Sequence, residues 1–219
     1  MRIKRSDTIY DICHALAKPI MHSYHKVQYE GAQHIPEQGP ALIVAKHQSL
    51  QDIILEGIFL TTHCKRYGNW VMKSRLPFIL KYLGGIKVKR PRDLPKDRKQ
   101  RKKQIQGAKD QNKEANQYIE WLLQQGEIIV AHPEATRSPY IMAPFRKEIF
   151  TLAKRVQREH GIEIPVIPLG IEYDPSIWAP RSRVCVRAGK PSKAVTPGLA
   201  DKVSKELYSL SNLQYYMWK

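Results

Sequence analysis

Two stretches of the chain carry residue types suited to chemistry. The first is AKHQSLQDI, residues 45–53, where His47 and Asp52 stand five apart. The apolar run ALIVA (41–45) precedes it and a helical pattern follows from about Ser49 to Leu60, so the pair falls at the mouth of an expected helix. A carboxylate one turn inside a helix N-terminus is kept ionised by the free N–H groups and the dipole. It can take the proton on one imidazole nitrogen, fix the tautomer and leave the other nitrogen as a base. None of the other histidines has an Asp at that offset. The pair is two members of a hydrolase triad without the serine: G-x-S-x-G is absent, and no cysteine lies in a nucleophile motif. Such a base is suited to activating a hydroxyl on a substrate. The same residues have a purely structural use, since Ser49 fits an N-cap and Ser49-x-x-Asp52 has capping-box spacing, which leaves His47 incidental. Both readings stand on this stretch alone.

The second stretch is HPEATRS, residues 132–138, a polar turn after an expected strand. It offers the Glu134 carboxylate, the Thr136 hydroxyl and the Arg137 guanidinium, whose planar fork suits bidentate contact with a phosphate. Glu134 could hold Arg137 or a substrate hydroxyl; an ordinary surface Glu–Arg pair would use the same residues to little effect. Metal chemistry is not expected: His22 and His25 lack partners at ligand spacing and H-E-x-x-H is absent.

The elements that must position these residues alternate. Apolar strands are expected at 41–45, 69–73, 86–90, 127–134, 164–173 and 182–191. Helices are expected at 49–60, 76–84, 97–123, 145–161 and 202–210. The pattern predicts an α/β fold: one domain, residues 27–219, with a mostly parallel central sheet flanked by helices. Residues 1–26 form a preceding amphipathic segment, with Ile9, Ile12, Cys13 and Leu16 on one stripe and Pro19 set to bend or end the helix. His47, Arg90 and Glu134 all follow strand ends, where ligands of such sheets gather.

Charge narrows the partners. The formal net charge is +17, which points to polyanions. Residues 87–113 hold twelve Lys and Arg against three Asp, with no Phe, Tyr or Trp to stack on bases. That argues against nucleic acid and for an anionic membrane surface, an acidic carrier protein or a phosphorylated substrate. Cys13, Cys64 and Cys185 lie far apart without C-x-x-C, as expected in a reducing compartment. The N-terminus lacks the apolar core of a signal peptide, and no run reaches the roughly 18 apolar residues of a spanning helix. The expected location is peripheral, on the cytoplasmic face of a membrane.

Taken together, KHQSLQD resembles the N-H-x-x-x-x-D motif of the glycerolipid acyltransferase family, of the bacterial 1-acylglycerol-3-phosphate acyltransferase type. HPEATRS resembles its F-P-E-G-T-R-S motif, GGIKVKR its third, ending at Arg90, and VIPLGIEY its fourth, with Pro168 at the centre. The resemblance runs from about Val27 to Pro191. It implies that His47 deprotonates a glycerol hydroxyl and that Asp52 orients it. Arg90 and Arg137 would bind the acceptor phosphate, Glu134 would hold the acceptor or the His47 region, and Pro168 would belong to the acyl side. The donor would be acyl-CoA or acyl carrier protein, the acceptor lysophosphatidate or a related lysolipid, and no cofactor would be needed. Three departures from the pattern matter. Lys46 replaces Asn, and an ammonium aimed at His47 would favour a neutral imidazole. Ala135 replaces Gly, and PFRKE lacks the usual following Gly.

Overall fold

The structure, a computed structural model, describes residues 5–74, 77–90, 93–95, 97–174 and 176–213 and the backbone of 215–216. Its centre is a sheet of eight strands. These are β1 (Lys26–Glu30), β2 (Ala41–Ala45), β3 (Gly68–Lys73), β4 (Gly85–Val88), β5 (Ile128–Ala131), β7 (Pro165–Asp174), β8 (Arg183–Ala188) and the short β9 (Ser192–Lys193). Their order is β1-β8-β7-β2-β5-β3-β4, with β9 on β7. All pairings from β7 through β4 are parallel; β8 and β9 run antiparallel to β7. A separate two-stranded ribbon pairs β6 (Ile141–Met142) with β10 (Tyr215–Tyr216). The expected mostly parallel α/β fold is the one formed. β1, for which the sequence offered no expectation, is an edge strand of alternating exposure whose mixed sequence KVQYE carries no apolar run.

Both faces of the central strands are covered, which is why ALIVA and IIVA are apolar throughout. Successive residues point to opposite faces. Leu42, Val44, Ile129 and Ala131 pack beneath α3 (Arg98–Gln124), α4 (Glu148–His160) and α5 (Leu199–Leu210). Ala41, Ile43, Ala45, Ile128 and Val130 pack beneath α1 (Asp7–Tyr24) and α2 (Gln51–His63). α3 begins on the Asp97 cap and buries Ala108, Ala115, Ile119, Leu122 and Leu123. α4 stops at Gly161, which takes the left-handed conformation with φ of 65°.

Three local expectations are corrected. The helix read over 76–84 is a 3-10 turn, Phe78–Lys81; residues 75 and 76 lie outside the described set. α1 runs through Pro19 to Tyr24. Proline removes the hydrogen bond to the Ala15 carbonyl, but both residues are exposed, so that carbonyl is not shut away from solvent. The stripe read on α1 is not its buried face. Tyr10 and Met21, which lie off that stripe, are buried, whereas Ile12, Leu16 and Ile20 on it are 56%, 65% and 64% exposed.

The topology sets the site. β2 leads through α2 on one face of the sheet, and β5 leads through α4 on the other. β2 and β5 are adjacent and parallel. Their C-terminal ends therefore form a switch point, where the connecting segments part and leave a crevice.

Candidate active site

β2 ends at Ala45 and delivers Lys46 and His47 into that crevice. His47 Nδ1 lies 3.0 Å from Asp52 Oδ2, with the Asp52 side chain fully buried and His47 partly open. The same Oδ2 accepts the backbone N–H groups of Gln48 at 2.5 Å and Ser49 at 2.7 Å. Oδ1 accepts the Tyr173 hydroxyl at 2.6 Å. Burial and the neighbouring Asp52 both raise the Tyr173 pKa, so it stays a phenol and a donor. Asp52 is thus held from four directions and the imidazole ring is fixed through Nδ1, leaving Nε2 as the basic nitrogen. Ser49 is not the helix cap. The N-cap position is Leu50, with no side-chain bond, and the Ser49 hydroxyl accepts only the Gln51 N–H at 3.3 Å. Of the capping box only the reverse half forms, Asp52 reaching back to the Ser49 amide.

β5 ends at Ala131 and delivers the HPEATRS turn beside His47. The His47 carbonyl accepts the Ser138 N–H at 2.9 Å, which clips the turn to the β2 end. Beneath it lies an ion pair that the sequence did not suggest. Lys46 Nζ sits 2.9 Å from Glu134 Oε1 and 3.0 Å from Oε2, and donates to the Ser138 carbonyl at 2.6 Å. Both side chains are buried. Burial lowers the Lys46 pKa and raises that of Glu134, and their mutual attraction opposes both shifts. Glu134 also accepts the Ala143 N–H at 2.8 Å. The Lys46 ammonium is therefore committed to Glu134 rather than aimed at His47, and Glu134 braces the His47 loop from below without lining the cleft. Ala135 has φ of 53°, the left-handed conformation in which the resembling motif places glycine.

The crevice opens into a cleft of about 600 Å³. His47, His132 and Thr136 line it; among the described residues, Lys73, Lys89, Arg90, Arg137 and Arg146 supply five cations against the single carboxylate of Glu148. Leu50, Ile53, Val71, Met72, Val88, Ile119 and Ile149 give it apolar walls. Arg137 is exposed and its side chain has no partner among the described residues. Arg90 is already held. Its Nε and Nη2 form a fork on Asp93 at 2.9 and 2.8 Å, and Nη1 donates to the Ala135 carbonyl at 2.5 Å. That contact with Arg90 holds the Asp93 carboxyl down at about 2. Pro168 is not with these residues. It is buried in β7 opposite Val44, and its carbonyl accepts the Gly189 N–H at 2.8 Å.

Sequence reasoning missed three participants: Tyr173, and the pair His132 and Glu56. His132 Nε2 lies 2.9 Å from Glu56 Oε1, inside α2, and the Trp70 indole donates to Glu56 Oε2 at 2.8 Å. The rings of His132 and His47 are 4.4 Å apart between centroids. Burial by itself would lower the His132 pKa, but Glu56, with Asp52 and Glu134 beyond it, raises it overall. The one local signal was a polar residue at the position where the motif has Phe.

Fold and site are those of an α/β enzyme with a histidine–carboxylate pair at the switch point of its sheet. A model of the Acyltransferase family matches residues 26–172, about two thirds of the chain, and the chain belongs to that family: it is an acyltransferase. Among solved structures, one similar chain is the 1-acyl-sn-glycerophosphate (LPA) acyltransferase PlsC from Thermotoga maritima. It matches with a TM-score of 0.59 and 19% identity, covering 94% of this chain and 80% of that one. This likeness is one of fold. A search of curated protein sequences found no match.

Proposed function

We propose that the enzyme moves an acyl chain from a thioester, acyl-CoA or acyl carrier protein, to the free glycerol hydroxyl of 1-acylglycerol-3-phosphate, giving phosphatidate. The observation that carries this reading is the His47–Asp52 pair opening onto a cleft of five cations and apolar walls. Such a cleft suits an acceptor with a phosphate at one end and a hydrocarbon chain at the other. His47 Nε2 takes the hydroxyl proton as oxygen attacks the thioester carbonyl, and returns it to the departing thiolate. Arg137, and the N–H groups of Arg90 left over by Asp93, hold the phosphate. Attack is direct, without an acyl-enzyme: no cysteine lines the cleft, and burial pushes the Cys64 and Cys185 thiols up to about 11. The match of the solved LPA acyltransferase in fold supports the choice of acceptor.

We also propose that the enzyme works lying on an anionic membrane. No described helix is long and apolar enough to cross one. Ile12, Leu16 and Ile20 form an exposed apolar stripe on α1, and Phe78 and Ile79 are exposed as well. The first turns of α3 expose Arg98, Lys99, Lys102 and Lys103, each worth about 1 kcal/mol near an anionic surface.

The test is purified enzyme with one labelled acyl-CoA, and separately acyl carrier protein, against glycerol-3-phosphate, lysophosphatidate and neutral lysolipids, with and without anionic vesicles. The expected product is phosphatidate from lysophosphatidate, faster with vesicles. Equal transfer to neutral lysolipids contradicts the phosphate reading.

A further inference from the structure

Acyl transfer from a thioester also needs a donor for the negative charge that develops on the carbonyl oxygen, and the motifs assign no residue to it. His132 meets the requirements for one. Where the resembling motif has phenylalanine, this chain places an imidazole that lines the cleft beside His47. Its orientation is fixed from behind: Nε2 faces Glu56, which is fully buried and anchored in turn by Trp70. Nδ1 has no partner among the described residues. The charges packed around the ring are Glu56 and Asp52 from α2, Glu134 from its own turn, and Lys46 and His47 from the end of β2, with the Lys46 ammonium spent on Glu134. Three carboxylates thus surround a ring that has one nitrogen pinned on Glu56 and the other without a partner among the described residues. A structural histidine satisfying Glu56 would need only the first of these.

We propose that His132 is a second catalytic residue, an imidazolium whose Nδ1–H binds the thioester carbonyl oxygen and stabilises its charge during acyl transfer. This deepens the acyltransferase reading above and rests on it. As the acceptor O–H bond breaks, its proton goes to His47 Nε2 and the new C–O bond forms. The carbonyl π pair moves onto oxygen, against His132 Nδ1–H. Collapse re-forms the carbonyl, breaks the C–S bond and expels the thiolate, which takes the proton from His47. His132 keeps both its protons throughout, because Glu56 holds the charge of the ring in place.

The experiment compares wild type, His132→Phe and His132→Gln in steady-state transfer from acyl-CoA to lysophosphatidate. His132→Phe restores the motif's apolar ring, and removes the donor together with the partner of Glu56. The expected result is a kcat lower by about 10²–10³-fold with KM nearly unchanged. His132→Gln retains an N–H donor and should recover at least about tenfold of the loss. A kcat for His132→Phe within about threefold of wild type overturns the proposal; should that variant not fold, equal kcat for His132→Gln and Glu56→Gln against wild type does the same. A wild type without turnover on any glycerol acceptor would instead overturn the function proposed above. A reading without substrate separates the two. In histidine-selective ¹⁵N spectra at pH 7, the resonances lost in His132→Gln should be those of a doubly protonated ring, and a neutral ring there overturns the imidazolium.

Discussion

At the scale of single residues, the site rests on one pair of charges shut away from solvent. Lys46 and Glu134 face each other at 2.9 Å with side chains 0% and 1% exposed. Replacing Lys46 by methionine leaves the carboxylate buried and unpaired, which typically costs about 3–5 kcal/mol. Urea unfolding of Lys46→Met should show a loss of that size, and adding Glu134→Gln should restore part of it; an unchanged midpoint contradicts the buried pair. Ala135 holds a backbone conformation that costs an L-residue about 1–2 kcal/mol. Ala135→Gly removes that strain and adds back some chain entropy, so a gain of about 0.5–1 kcal/mol is expected by the same method. The His47–Asp52 pair could be read from the chain because its partners are five residues apart and share one helix mouth. Tyr173 meets Asp52 across 121 residues, Lys46 meets Glu134 across 88 and His132 meets Glu56 across 76. Spacing along the chain carries no trace of such pairs. They exist because β2, β5 and β7 end side by side.

At the scale of elements, two segments have consequences of their own. α1 packs through Tyr10 and Met21 and leaves Ile12, Leu16 and Ile20 facing outward. Periodicity announced an apolar stripe but not which side of it the domain would cover, since that depends on where α2 lies. If the outward stripe meets lipid, Leu16→Glu combined with Ile20→Glu should abolish flotation with anionic vesicles and leave the circular dichroism spectrum unchanged. Undiminished flotation would contradict the contact. The turn after β4 is closed by the fork between Arg90 and Asp93. Folding lowers the Asp93 pKa from 3.8 to about 2, so its contribution to stability is present above pH 3.8 and is lost as pH falls towards 2. Urea midpoints measured from pH 6 down to pH 2.5 should fall less steeply in Asp93→Asn than in wild type, because that variant lacks the group being protonated. Parallel acid limbs would show that the fork does not persist in solution.

At the scale of the whole molecule, the sheet order is what turns three separated motifs into one cleft. β2, β5, β3 and β4 are neighbours and parallel, so His47, the HPEATRS turn and Arg90 leave the sheet at one end. Alternating apolar strands and amphipathic helices were enough to expect that arrangement, and the Acyltransferase family match agrees with it. Pro168 shows the limit of motif reading: it lies in a matching strand, yet its place is in the core beside Gly189. A motif marks a strand that the fold needs as readily as a residue that the substrate meets. The whole arrangement serves His47 as the base for direct transfer. Its removal is read in acceptor-dependent release of coenzyme A by wild type and by His47→Ala, with circular dichroism to show that both are folded. The expected result is a fall in kcat of about 10²–10⁴-fold for the variant; turnover within about tenfold of wild type would mean that His47 is not the base.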